Sequence, residues 1–191
     1  MKTTRLEAFS DGVLAIIITI MVLELRVPQA ADLAALTPLL PVFLSYILSF
    51  TNVGLYWNNH HHLMTLVPEV NGAILWANLH LLFWLSLMPF VTGWMGENHF
   101  ASLPTALYGV ALLMAGFAYY LLVQAILRQQ GPDGPLAKAI GRQLKERLSL
   151  VAYVIAVPAA FFQPWIAWSL YVAVALVWLI PDSRIERAVA R

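Results

Sequence analysis

The sequence predicts an all-α fold, a polytopic membrane protein with six transmembrane helices per subunit. Three observations carry this. Of 191 residues, 61% are hydrophobic and only 11% charged, against ~45–50% apolar and ~25% charged in soluble domains. Apolar runs of the roughly 20 residues that a spanning helix needs recur along the chain, and the mean hydropathy of +0.75 agrees. Lys and Arg are also confined almost entirely to alternate loops. The net charge of +1 offers no basic surface for nucleic acid, and the absence of cysteine removes disulfide and thiol chemistry. Seven Trp and seven Tyr suit the two membrane interfaces, where an apolar ring meets wet headgroups.

The first span covers about 6–25 and stops at "RVPQ", because Pro28 cannot continue a helix. A cleaved signal peptide is the rival reading of this segment, but Glu7 and Asp11 spoil the basic start that such a peptide has. The segment is therefore expected to be retained. The second span covers about 38–64, the third about 70–95 and the fourth about 102–127. The fifth and sixth share one long apolar stretch in which Gln163-Pro164 marks a break, so a hairpin of two short helices is expected there. Between spans four and five, "GPDGP" is a cluster of breakers. Beyond it Leu136, Ile140, Leu144 and Leu148 recur every four residues with basic residues between them. That pattern fits an interfacial helix on anionic lipid, or more simply an ordinary basic loop leading into span five.

Charge placement tests the count of six. With six spans, one side holds Lys2, Arg5, Arg128, Lys138, Arg142, Lys145, Arg147, Arg184, Arg187 and Arg191, and the other holds only Arg26. Basic loops stay cytoplasmic, so the expectation is a multi-pass protein of the cell membrane with both termini cytoplasmic. Five spans would put the C-terminal arginines outside.

Within these spans the polar residues stand out, because each needs a partner at membrane depth. Successive helix positions turn about 100°, so Gly12, Ile16, Ile20 and Leu23 form one stripe with Thr19 at its edge. Asp11 falls roughly 140° from Ile16 on the same wheel. Small and aliphatic stripes are usually packing seams. Here the separation suggests that Asp11 faces neighbouring helices while the stripe faces something else. Its candidate partners are Arg5, histidines of the second span and Asn78. In "YWNNHHHLM", His60, His61 and His62 point about 100° apart and cannot converge on one tetrahedral ion. No metal site is expected; an interfacial polar cap is, with one or two histidines able to reach the first helix. Asn78 and His80 of the third span are expected to hydrogen-bond to Ser10, Asp11 or Arg5. No glycine-rich phosphate loop, HExxH or TVGYG filter is present, so neither an enzyme nor an ordinary potassium-channel filter is expected. Asp11 is the sole carboxylate well inside a span, which is too few for a typical proton relay.

The string Arg5-x-x-x-Phe9-Ser10-Asp11-Gly12-Val13-x-Ala15-Ile16 resembles the motif of the transmembrane protein 175 family. "VGLYWNNHH" and "NLHLLFWLSLMPF" are similar to the same family, as are the length and the six spans, so the resemblance covers nearly the whole chain. It implies a single six-helix channel domain over residues 1–191 that conducts potassium ions as a homotetramer, in contact with membrane lipids and without a cofactor. It further implies that the first helix lines the pore. Ile16 would then be the tightest ring, with Thr19, Ile20 and Leu23 beyond it, and Arg5, Phe9, Ser10, Asp11, Asn78 and His80 would form an interhelical network outside the ion path. An alternating-access transporter is the alternative; it needs a polar site at the midplane, for which only Asn78 and His80 qualify. A membrane scaffold without transport is the third reading.

Overall fold

The computed structural model describes residues 2–139 and 144–180. Its helices are α1 (Thr3–Leu23), α2 (Leu40–Thr65), α3 (Gly72–Ser86), α4 (Met88–Glu97), α5 (Ser102–Gln130), α6 (Pro135–Ala139), α7 (Leu144–Phe162) and α8 (Pro164–Leu179), with a 3-10 turn at Leu33–Leu39. Four segments are long and apolar enough to cross a bilayer: Thr3–Leu23, Leu33–Thr65, Gly72–Glu97 and Ser102–Gln130. The remaining pair differs. Lys145, Glu146 and Arg147 occupy the first turn and a half of α7, and α8 has 16 residues, or about 24 Å against a hydrocarbon core of about 30 Å.

Local chemistry sets the ends. The Asp32 carboxylate accepts the Ala35 N–H at 2.9 Å before the 3-10 turn, and the Asn71 side chain accepts the Ile74 N–H at 2.9 Å to start α3. The third span is broken at Leu87, because Pro89 has no N–H to return to the preceding turn. Gly131, at φ 74°, ends α5 in a backbone conformation that side chains resist. Gln163 is extended, and Pro164 opens α8 at a position where its missing N–H costs nothing. The expected break between the last two helices is therefore present.

Paired contacts give the helix directions. Asp11 meets Trp57 and Glu7 meets His61, so α1 and α2 are antiparallel. Ser10 meets Asn78 and Met21 meets Thr92, so α3 and α4 run along α1. Ser49 with Tyr108, and Asn59 with Tyr119, set α5 along α2. Lys145 with Ile180, and Ser149 with Trp178, close α7 and α8 into an antiparallel hairpin. The N-terminus, the α2–α3 loop, the end of α5 and the open end of the hairpin therefore share one end of the molecule. Lys2, Arg5, Arg128, Lys138, Lys145 and Arg147 lie there, and Arg26 lies at the other end.

Helix α5 is the hub, packed on α3, α4, α6, α7 and α8. Its buried Ala106, Gly109, Ala111, Ala115 and Ala118 let the neighbours approach closely. Helix α1 is peripheral and touches α2, α3 and α4 only among the main contacts. The four-residue leucine pattern is split. Leu136 is buried against the fold with its N–H on Gln130 Oε1, whereas Leu148 is exposed. Ile140 lies outside the described residues.

Candidate functional site

Helix α1 has two unlike faces. Thr3, Leu6, Ser10, Leu14, Ile17 and Met21 are buried, at the three- and four-residue spacing of a packed helix stripe. The opposite stripe is uncovered: Ile16 is 60% exposed, Ile20 43% and Leu23 77%. A Cβ at Gly12 would meet no atom within 4 Å. Thr19 lies on this uncovered side and donates its hydroxyl proton to the Ala15 carbonyl at 2.8 Å. Its oxygen lone pairs are left facing outward. The expected stripe is thus exposed as one surface, and nothing among the described residues covers it.

The buried face carries the polar links. Ser10 Oγ donates to the Leu6 carbonyl at 2.9 Å and accepts from Asn78 Nδ2 at 3.0 Å. Asn78 Oδ1 lies 2.8 Å from His60 Nε2, which places the His60 proton on that nitrogen and leaves Nδ1 a bare buried acceptor. Ser10 and Asn78 are fully buried and His60 is 1% exposed, so three helices are pinned at one point where water cannot compete. One turn away the Trp57 indole N–H donates to Asp11 Oδ1 at 3.0 Å, and His61 Nδ1 donates to Glu7 Oε1 at 2.9 Å. The Trp57 and His61 rings stack between these two bonds at 6.5 Å.

Several sequence expectations change here. The partner of Asp11 is Trp57, not Arg5, a histidine or Asn78, because a half-buried carboxylate at the α1–α2 seam meets whichever donor α2 turns toward it. His80 is taken by Trp84 of its own helix at 3.0 Å and joins no interhelical network. Arg5 and Phe9 are exposed on the side of the uncovered stripe, and neither bonds across helices among the described residues. The histidine run is not a uniform cap: His60 is a core residue, whereas the partly exposed His61 reaches Glu7 of the first helix as expected. The 100° rotation sends His60 toward α3 and His61 toward α1, and among the described residues no three His, Asp or Glu side chains converge as metal ligands.

A second polar cluster went unread in the sequence. The Ser49 and Thr92 hydroxyls lie 2.6 Å apart, Ser49 donates to Tyr108 at 3.0 Å, and Thr92 reaches Met21 Sδ at 4.0 Å. Isolated hydroxyls inside apolar runs are the only signal that points to it. At the opposite end from the start of α1, Arg26 pairs with Glu97 at 3.1 Å, an exposed bridge of little weight. Just past the end of α1, burial and then the Glu97 carboxylate hold the Glu24 carboxyl above the usual carboxylate range.

Residues 5–89, which contain the motif helix and its α2 and α3 partners, match the family described as endosomal/lysosomal potassium channel TMEM175. A potassium channel of Chryseobacterium sp. (strain P1-3) is 57% identical over 188 residues, covering 98% of both chains. The chain belongs to the TMEM175 family. Another TMEM175 relative, a potassium channel of Streptomyces collinus, is 31% identical over 173 residues, 84% of this chain and 83% of its own. The crystal structure of a lysosomal potassium-selective channel TMEM175 homolog from Chamaesiphon minutus superposes with a TM-score of 0.81 at 28% identity, over 93% of this chain and 96% of that one. Human TMEM175, named an endosomal/lysosomal proton channel, is 40% identical over 82 residues, 37% of this chain and 16% of its own.

Proposed function

We propose that this chain is a moderately selective potassium channel of the cell membrane, a homotetramer of a six-helix domain over residues 1–191. In it four copies of α1 surround the pore. One observation carries the reading. The motif helix is peripheral and turns an uncovered stripe of Gly12, Ile16, Thr19, Ile20 and Leu23 away from its own subunit, while its polar links point inward. In this arrangement α7 and α8 are spans five and six. Both termini are cytoplasmic in this reading, because Lys2 and the end of α8 lie at the end of the molecule that also holds all the described basic residues except Arg26. The links of Ser10, Asp11, Asn78 and His60 set the rotation of α1 and stay out of the ion path.

The mechanism follows from the side chains. Four Ile16 side chains cannot replace the hydration shell of an ion as carbonyls do, so their ring is a narrow constriction that gates by dewetting. Thr19 lies about one turn further along. Its proton is committed to Ala15, so four outward threonine oxygens remain as acceptors for a partly dehydrated potassium ion. Alternating access is the weaker reading, since Asn78 is spent on Ser10 and His60, and His80 on Trp84.

Reconstituted protein should show single-channel potassium currents, and Ile16→Asn should raise conductance and relax the potassium-over-sodium preference. Unchanged current and permeability ratio in that variant would place the constriction elsewhere. Thr19→Val should lower selectivity with assembly intact; full selectivity in that variant would leave the threonine oxygens without a role.

A further inference from the structure

A cavity lined by α2, α5, α7 and α8 has no residue of α1 in its wall. Its inner chamber of ≈ 50 Å³ is walled by Tyr56, Tyr119, Tyr153 and Trp178, with Glu146 at its side. It adjoins an outer chamber of ≈ 390 Å³ that shares Tyr119, Glu146 and Trp178. The Tyr56 and Tyr119 rings meet edge to face, with centroids 6.2 Å apart and planes at 67°, so they form two walls of a corner. The Trp178 ring is held in place by its N–H, which donates to Ser149 Oγ at 2.8 Å.

Two charged side chains line this cavity, Glu146 in both chambers and Lys145 in the outer one. Glu146 is half-buried and pairs with no cation among the described residues. Its neighbour Lys145 is committed to the Ile180 carbonyl at 2.8 Å. A carboxylate partly withdrawn from water seeks a positive partner, and aromatic faces attract cations through their quadrupole. Leu55 and Leu150 supply apolar wall beside them. An inorganic ion would meet the oxygens of Asn52, Asn59, Ser149 and Glu146, but only an organic cation matches the carboxylate together with the aromatic and aliphatic walls.

We propose that this cavity binds an alkylammonium group, with its charge between Glu146 and the Tyr56–Tyr119 corner and its alkyl chain on Leu55 and Leu150. The same chemistry is carried by a phosphatidylethanolamine headgroup and by a free hydrophobic amine.

The test uses the full-length protein, purified and titrated with n-hexylammonium, with n-hexanol as the neutral probe of similar size and melting temperature as the readout. Hexylammonium should raise the melting temperature saturably, and hexanol should not. Glu146→Gln should abolish the response. Tyr119→Phe keeps the ring and should keep the response, whereas Tyr119→Leu should weaken binding on the order of tenfold. If Glu146→Gln does not fold, the two Tyr119 variants carry the same test. Native mass spectrometry then separates the sources. Retention of phosphatidylethanolamine over phosphatidylglycerol, lost in Glu146→Gln, identifies the headgroup; hexylammonium binding without that retention identifies a free amine. An equal response in wild type and Glu146→Gln, or an equal response to hexanol, overturns the proposal.

Discussion

Asn78 is the side chain on which the α1–α2–α3 junction depends. It donates to Ser10 and accepts from His60, and all three lie in the core. Asn78→Leu fills the space but strands the buried His60 N–H, at about 1–3 kcal/mol, and removes the donor to Ser10, which keeps only its bond to Leu6. The purified variant should melt well below the wild type; an equal melting temperature would mean that the junction is held by apolar packing alone. Asp11 behaves differently. Its partner is the neutral indole of Trp57, and an asparagine oxygen at position 11 still accepts that N–H. Asp11→Asn should therefore cost about 1 kcal/mol, not the roughly 3–5 kcal/mol of a broken buried ion pair. A large loss of melting temperature on Asp11→Asn would show that a cation faces Asp11 in the assembled protein. That polar residues near positions 10 and 78 must meet partners was legible from their depth in apolar spans. Which partner each takes was not, because a few degrees of helix rotation exchanges one donor for another.

Two glycines report on how the helices lie against each other. At Gly96 a Cβ would come within 2.7 Å of the Val42 Cα and 2.5 Å of Ser45 Oγ, so α4 approaches the backbone of α2 as closely as it can. Gly96→Ala must push these helices apart and should destabilise by about 1–3 kcal/mol. At Gly12 there is open space, and alanine is the better helix former by up to about 1 kcal/mol. Gly12→Ala should leave the melting temperature unchanged or raised, with its effect read in the current, where it narrows the stripe. If Gly12→Ala instead unfolds the subunit, the stripe is a packing seam. The break at Pro164 was readable, since proline breaks a helix for covalent reasons, whereas the third span, expected unbroken over about 70–95, is interrupted before Pro89. The close approach at Gly96 was not, because a glycine in an apolar run looks the same whether or not a neighbour's backbone lies against it.

At the level of the whole molecule, α1 is the outlying element of the bundle while α5 is its centre. A helix with the family motif, half its circumference uncovered and Ser10 linked inward to Asn78, fits the proposed place beside its own copies. Ile16→Cys should crosslink subunits to one another under oxidation, since the substituted side chain points away from its own bundle. Leu176→Cys, exposed on α8, should give no such crosslink in the arrangement proposed above. Crosslinking at Leu176 with none at Ile16, read on a denaturing gel, would move the axis of the assembly from α1 to α8.

Length, hydropathy and proline placement determined by themselves that the chain is a set of apolar helices, where most of them stop, and which residues of α1 share a face. These are local properties, set by covalent geometry and by the fixed 100° turn per residue. Only the tertiary structure decided that Asp11 meets Trp57, that His60 enters the core while His80 stays on its own helix, and that Tyr56, Tyr119 and Glu146 enclose a cavity. Those pairings join residues tens of positions apart. They depend on the tilt and rotation of one helix against another, which packing of all the side chains settles together and no local pattern encodes.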